Sequence, residues 1–326
     1  MAFSPDGQLL ATSAGDVQSR DTTAQLWTAS GAKVAILSGA RAPVTCLAWS
    51  PDGRLVASAS RDGSVRVWDR VGHLVRTLAG SDPVYSLAWS PDGSILAVGA
   101  IPFPPPGASG PETLPGVIHL WHPDGTLLLT LDTQLTGGTF LNLAWSADGS
   151  LLAAGAVDYH TWDVDGRQVG VLRQGGTPAW AMAWSPDGRS IAIGDENGSL
   201  AIVAPDGSAL ANASFAGDVN ALSYSPDGAW LAVGQNGRVS VVRPTDPGSV
   251  VWFAGVADQG TSVWSADGRS VAIAAKGGVA VFAAAGSQEA MLTGCPGTPA
   301  AFAWSKSNIA AATDQGRLCM WLAPGG

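Results

Sequence analysis

The chain has 326 residues, of which 46% are hydrophobic and 13% are charged, so it carries enough apolar side chain for a substantial core. Its formal net charge of −9 argues against a nucleic-acid partner, because neutralising phosphates requires clustered Lys and Arg. No apolar run approaches the roughly eighteen residues that a membrane span requires, so the sequence also argues against a membrane partner.

A five-residue pattern of an aromatic residue, Ser, a variable residue, Asp and Gly recurs along the chain. It occupies residues 3–7, 49–53, 89–93, 145–149, 184–188, 224–228 and 264–268, and a degraded copy begins at Trp304. The leading aromatic residues are spaced by 46, 40, 56, 39, 40, 40 and 40 residues. A period near forty indicates stacked copies of one supersecondary unit. We therefore predict a single domain over residues 1–326, with repeats beginning near residues 3, 44, 84, 140, 179, 219, 259 and 299.

The second copy shows the elements of one repeat. Its strands are predicted at Val44–Trp49, Leu55–Ala59, Val65–Trp68 and Leu74–Leu78. Gly-bearing turns separate them, the first being Pro51-Asp52-Gly53, in which Pro presets φ and Gly takes a positive φ. Four short strands at this spacing are typical of an all-β fold, and no segment shows the sustained 3.6-residue pattern of a helix.

The repeat resembles the WD-repeat (WD40-type) β-propeller family. The resemblance is carried by Val65-Arg66-Val67-Trp68-Asp69 and His160-Thr161-Trp162-Asp163, which have the family's Trp-Asp ending. It implies a β-propeller of four-stranded antiparallel blades. The family's Gly-His before the first strand is absent, so its buried His–Asp–Trp network is not expected in the usual form. A TolB-type propeller shares the Ser-Pro-Asp-Gly turn and is the alternative family.

Eight copies predict eight blades, of which the first and the last are incomplete. Only Met1-Ala2-Phe3 remains of the first inner strand, and the chain ends near Pro324, before an outer strand of the eighth blade. We hypothesise that a segment upstream of Met1 supplies both missing strands. A seven-bladed ring with one spare blade is the alternative.

Three cysteines, Cys46, Cys295 and Cys319, cannot all pair with one another and show no Cys-x-x-Cys spacing. Such a set is typical of a reducing compartment, in which thiols serve as small apolar packing groups. We therefore expect a cytoplasmic protein.

Motifs for catalysis are absent from the sequence. The four histidines show no metal-ligand spacing, no Gly-rich phosphate loop occurs, and no Gly-x-Ser-x-Gly follows a strand. The Asp of each repeat is explained by turn geometry. We predict no enzymatic activity, no cofactor and no metal site.

Candidate binding residues lie four positions before each leading aromatic residue. In a propeller these positions begin the innermost strands around the mouth of the central channel, and large, varied side chains there are typical of a binding surface. They are Thr45, Tyr85, Leu141, Trp180, Asn220, Gly260 and Ala300. We predict binding by Tyr85, Trp180 and Asn220, together with Phe103 of a stiff Pro-rich loop over residues 101–116.

The predicted function is a non-catalytic scaffold that binds a protein or peptide on this channel-mouth face. Many propellers that resemble this chain are scaffolds, and that analogy supports the prediction. A small-ligand sensor domain of a larger signalling protein and a propeller hydrolase are the alternatives. We expect a monomer, or a module completed by the upstream segment of a longer chain.

Overall fold

The computed structural model describes residues 1–13, 21–80, 82–102, 116–133, 142–155, 157–256, 260–275 and 277–324. Phe103 and most of the predicted Pro-rich loop 101–116 lie outside these residues. The described residues form 31 β-strands and no helix, which confirms the predicted all-β class. The chain divides into two compact units, Met1–Gly176 and Thr177–Gly326.

The first unit contains four antiparallel sheets, each of four strands in sequence order. Their strands are β1 (Ala2–Phe3), β2 (Leu9–Ser13), β3 (Ala24–Thr28) and β4 (Lys33–Leu37); β5 (Val44–Trp49), β6 (Leu55–Ser60), β7 (Ser64–Asp69) and β8 (Leu74–Ala79); β9 (Val84–Trp89), β10 (Leu96–Ala100), β11 (Val117–Trp121) and β12 (Leu127–Asp132); and β13 (Asn142–Trp145), β14 (Leu151–Gly155), β15 (Tyr159–Asp163) and β16 (Gln168–Arg173).

The second unit contains three sheets of four strands and a last sheet of three. Their strands are β17 (Ala179–Trp184), β18 (Ile191–Asp195), β19 (Ser199–Val203) and β20 (Ala209–Ser214); β21 (Ala221–Tyr224), β22 (Leu231–Gln235), β23 (Arg238–Arg243) and β24 (Asp246–Gly255); β25 (Ser262–Trp264), β26 (Ser270–Ala275), β27 (Gly278–Ala283) and β28 (Gln288–Leu292); and β29 (Pro299–Trp304), β30 (Asn308–Thr313) and β31 (Leu318–Leu322). Eight sheets, with a two-residue first strand and a three-stranded last sheet, confirm the predicted eight blades rather than seven.

The turn between the first two strands is held by its serine. In the second blade, Ser50 Oγ donates to Asp52 Oδ1 at 2.6 Å and accepts the N–H of Leu55 at 2.9 Å. Gly53 closes the turn with a φ of +67°, which disfavours any residue with a Cβ. The same 2.6 Å Ser–Asp bond recurs at Ser4, Ser50, Ser90, Ser146, Ser185, Ser225 and Ser265.

The leading aromatic residues join neighbouring blades within each unit. The indole Nε1 of Trp49 donates to the Ala2 carbonyl at 3.0 Å, and Trp264 donates to the Ser223 carbonyl at 3.0 Å. In each pair the acceptor immediately precedes the leading aromatic residue of the preceding blade. These tryptophans are 8% and 7% exposed, so one side chain supplies both core packing and a hydrogen bond between blades.

Third-strand tryptophans retain part of a buried polar network. Trp68 Nε1 donates to Ser58 Oγ at 2.9 Å, and Trp27 Nε1 donates to Thr12 Oγ1 at 3.0 Å. Both acceptors lie on the adjacent second strand of the same sheet. A hydroxyl therefore satisfies the indole in these two blades.

The cysteine expectation is wrong for two of the three residues. Cys295 and Cys319 form a disulfide with an S–S distance of 1.92 Å and a Cα–Cα distance of 5.9 Å. Cys295 follows β28 and Cys319 lies on β31, so only the fold brings them together. Cys46 is free and packs in the apolar cluster of the second and third blades, where burial raises the pKa of its thiol to about 12. Cytoplasmic location stays a prediction, without its argument from unpaired thiols.

We predict that breaking the disulfide lowers the free energy of unfolding by about 3 kcal/mol, because a cross-link over 24 residues restricts the unfolded chain. Urea unfolding with and without a reductant measures this difference. The matched control is a Cys295→Ser/Cys319→Ser double variant, whose unfolding midpoint should not respond to the reductant. Alkylation of three thiols rather than one in the unreduced, unfolded chain would contradict the pairing.

We also predict a loss of stability as the pH falls from about 4 to about 2. The Ser hydrogen bond is the largest cause that lowers the pKa of each turn Asp, and it helps lower the pKa of Asp6 to about 2. A carboxylate with a depressed folded-state pKa stabilises the fold above its unfolded pKa and loses this effect as the pH falls through the folded value. Urea midpoints at several pH values test this.

Serine variants separate the turn carboxylates from other acidic groups. Ser50→Ala should raise the pKa of Asp52 and reduce the acid sensitivity of the urea midpoint. Ser305→Ala is the matched control, because the degraded repeat has Ser307 where the other turns have Asp. Equal pH profiles for the two variants would show that the Ser–Asp bonds do not cause the acid sensitivity.

Candidate functional site

Two of the predicted binding residues, Tyr85 and Trp180, coincide with β-bulges at the start of first strands. The β9–β10 register passes from Val84–Ala100 to Ser86–Gly99 and leaves Tyr85 without an opposite residue. The β17–β18 register passes over Trp180 in the same way. Thr45 and Ala300 are the bulged residues of two further blades. A bulge re-aims the side chain of its extra residue, so these positions leave the ordinary in–out alternation of a strand.

Tyr85 belongs to a cluster in the first unit that we call the Tyr85 patch, formed by Arg41, Thr45, Arg61 and Tyr85. The guanidinium carbon of Arg61 lies 5.9 Å from the centroid of the Tyr85 ring. Thr45 Oγ1 donates to the carbonyl of Val84 at 2.8 Å, which links the bulges of neighbouring blades. Arg41 is exposed, and the other three side chains are half-buried.

Trp180 is the most exposed residue of a cluster in the second unit that we call the Trp180 patch, formed by Trp180, Glu196, Asp218 and Asn220. Its side chain is 41% exposed, whereas Trp264 is 7% exposed. Glu196 is held beside the start of the strand by a hydrogen bond from its N–H to the Pro178 carbonyl at 3.3 Å. The carboxylates of Glu196 and Asp218 and the exposed indole of Trp180 therefore lie at the same end of two adjacent blades.

Asn220 is fixed by both its backbone and its side chain. Its N–H donates to the Gly234 carbonyl at 3.0 Å, and its Nδ2 donates to Asn236 Oδ1 at 3.1 Å. Asn236 Nδ2 in turn lies 3.4 Å from Asp218 Oδ2. Within the described part of the chain, Asn220 Oδ1 is buried and has no hydrogen-bond partner. Asn220 is thus a positioned amide rather than a mobile surface side chain.

Sequence reasoning located these positions but missed the four charged residues of the two patches, which are Arg41, Arg61, Glu196 and Asp218. Trp180 and Asn220 occupy equivalent places in neighbouring blades of the second unit, and Tyr85 lies in the first unit. Phe103 lies outside the described residues. Arg41 and Arg61 were not predicted, although Arg61 precedes the Asp62-Gly63 turn at the same end of its blade as Thr45. The location of Arg61 at the same end of the blade as Thr45 could have identified it as a candidate binding residue.

The described residues offer neither a metal-binding cluster nor a membrane-spanning helix. They contain no group of three or more His, Cys, Asp or Glu side chains placed to hold a metal ion. Among the same residues no helix has the length and apolar character of a membrane span.

Comparison with known proteins identifies the repeat. The family profile described as "WD domain, G-beta repeat" matches residues 1–28, 31–69, 72–100 and 209–242. These four segments of the chain therefore carry WD repeats. The resemblance predicted from the sequence is thereby confirmed.

Solved WD-repeat structures resemble this propeller over almost its whole length. The C-terminal WD40 domain of Sif2 is 18% identical with a TM-score of 0.78, and Sqt1 from Chaetomium thermophilum is 19% identical with a TM-score of 0.81. Each alignment covers 99% of this chain and 95% of the other. At this level of identity the likeness shows the fold alone.

Two curated WD-repeat relatives match shorter portions. The intraflagellar transport protein 122 homolog of Danio rerio is 25% identical over 223 residues, which are 67% of this chain and 16% of that protein. The COMPASS component SWD1 of Saccharomyces cerevisiae is 59% identical over 27 residues, or 8% of this chain and 6% of that protein. The matched regions thus span less than a fifth of either relative.

Two tryptophans of this WD-repeat propeller should differ in their contribution to stability. Trp264→Ala should lower the free energy of unfolding by about 3 to 5 kcal/mol, because it removes a core ring and the hydrogen bond to Ser223. Trp180→Ala should cost about 1 to 2 kcal/mol, because much of its ring is already exposed to water. Urea unfolding followed by far-UV circular dichroism measures both, and equal losses would place Trp180 in the core.

Proposed function

We propose that this WD-repeat propeller is a non-catalytic interaction module that binds a protein or peptide through the Tyr85 patch, the Trp180 patch or both. The observation that carries the proposal is the 41% exposure of Trp180 at a β-bulge. Four of the leading tryptophans, Trp49, Trp89, Trp145 and Trp264, are by contrast at most 9% exposed. A large aromatic side chain offers contact area at low entropic cost, and tryptophan is enriched among the residues that dominate binding energy.

Relatives of this propeller support a protein partner. WD-repeat propellers commonly act as scaffolds for protein interactions, and Sqt1 from Chaetomium thermophilum has been seen bound to the N-terminus of the ribosomal protein L10. SWD1 is named as a component of COMPASS, an assembly of proteins. By analogy, we infer a protein partner here as well, with neither a nucleic acid nor a membrane as the target. Monomeric state and cytoplasmic location remain part of the same proposal.

A selection experiment tests this function without a known partner. Peptides selected from a phage-displayed library against the intact chain are measured by fluorescence polarisation. We expect Trp180→Ala or Tyr85→Ala to weaken binding about 30-fold, as for a residue that dominates an interface. The control is Leu210→Ala, an apolar side chain that is 57% exposed on the outer strand β20. Peptides that bind both patch variants as tightly as the wild type would contradict the proposal.

A further inference from the structure

Two arginine-bearing segments of the first unit are joined by hydrogen bonds from the backbone N–H of each arginine. Arg41 lies between β4 and β5, and its N–H donates to Asp62 Oδ2 at 2.7 Å. Arg61 follows β6, and its N–H donates to the Pro43 carbonyl at 3.1 Å. These two hydrogen bonds run in opposite directions between the segments, so the backbones that carry both guanidinium groups are fixed in place before any ligand arrives.

The carboxylate of Asp62, which accepts the Arg41 N–H, is already paired with another arginine. Asp62 pairs with Arg66 at 3.5 Å, and the two side chains are only 10% and 13% exposed. Burial alone would raise the pKa of Asp62, but the N–H groups of Arg41 and Ser64, the Ser64 hydroxyl and the Arg66 charge lower it. Asp62 therefore stays ionised, and its charge is balanced by Arg66.

The guanidinium groups of Arg41 and Arg61 have no ion pair within the described part of the chain. Asp82, in the segment before β9, is a further carboxylate at this end of the blades, where its charge acts on His119. The four residues of the Tyr85 patch therefore carry two positive charges and no negative charge. This sign is opposite to the net charge of −9 of the whole chain.

The ring of Tyr85 positions the Arg61 guanidinium. The Arg61 guanidinium lies over the Tyr85 ring, within the approximately 6 Å range of a cation–π contact. A cation–π contact of this kind leaves N–H groups of the guanidinium available, and these match a carboxylate in a bidentate hydrogen bond. The Tyr85 ring is itself positioned by the β-bulge and by the hydrogen bond from Thr45 to the neighbouring Val84 carbonyl.

From these contacts we infer that the Tyr85 patch recognises an acidic peptide segment, whose carboxylates pair with Arg61 and Arg41. The inference rests on the proposed function, since it assigns the chemistry of the partner at one of its two patches. A peptide fits better than a nucleic acid, because the acidic chain as a whole repels an extended polyphosphate. A short acidic segment requires only local complementarity.

The test uses three labelled probes with the intact chain: hexaglutamate, hexalysine and hexathymidylate. Fluorescence polarisation at low salt should show hexaglutamate as the preferred probe, and added salt should weaken its binding. Arg61→Ala should raise the Kd for hexaglutamate at least about tenfold. Arg61→Lys should restore part of the affinity, because a lysine keeps the charge but lacks the planar fork.

Arg54→Ala is the matched control, since Arg54 lies on the turn at the other end of the blade and its side chain is 83% exposed. We expect no change in Kd for this variant. Circular dichroism establishes that each variant is folded.

Three outcomes would overturn the inference. The first is an equal loss of hexaglutamate binding in Arg54→Ala and Arg61→Ala, which would indicate general charge attraction. The second is hexathymidylate binding at least as tightly as hexaglutamate, which would assign the patch to nucleic acid. The third is no hexaglutamate binding up to about 1 mM. If selected peptides still bind through Trp180 in that case, the proposed function stands and only the acidic partner is excluded.

Discussion

The hydrogen bond from the turn serine to the turn aspartate fixes the strand register on which this propeller depends. In the second blade, Ser50 Oγ is buried, donates to Asp52 and accepts the N–H of Leu55, so one hydroxyl satisfies both ends of the turn. Leaving this hydroxyl unpaired would cost about 1 to 3 kcal/mol. Within each unit the tryptophan before such a serine donates a hydrogen bond to the preceding blade, as Trp49, Trp89, Trp145 and Trp264 do.

This register also decides what lies at the other end of the first strand. In the blades of Thr45, Tyr85, Trp180 and Ala300 the pairing skips one residue, so the aligned strand has a bulge at the end away from the turn. The turn has the same Ser–Asp hydrogen bond in seven blades, whereas the side chain at the bulge differs from blade to blade, from the methyl group of Ala300 to the indole of Trp180. Constant chemistry at the turns supports the fold, and variable chemistry at the bulges is available for recognition.

The charge of the protein follows the same division. Each Ser–Asp turn adds one carboxylate for reasons of backbone geometry. Much of the net charge of −9 therefore comes from the turns between the first and second strands. The charges at the bulged ends are few and are arranged by tertiary contacts. Arg61 lies over the Tyr85 ring in the first unit, and in the second the N–H of Glu196 is bonded to Pro178, just before β17. The local groups therefore indicate which segment of a partner is bound, whereas the net charge bears only on long-range attraction or repulsion.

The sequence alone determined the repeats, the eight blades and the incomplete first and last sheets, because turns and strand alternation depend on residues within a few positions of each other. It also placed Tyr85, Trp180 and Asn220 at one repeat position. Only the tertiary structure decided that Cys295 pairs with Cys319 and that Arg61 lies over Tyr85. Both pairs join residues 24 positions apart, and their distances depend on how one blade stacks on the next. No local pattern in the sequence encodes that stacking distance.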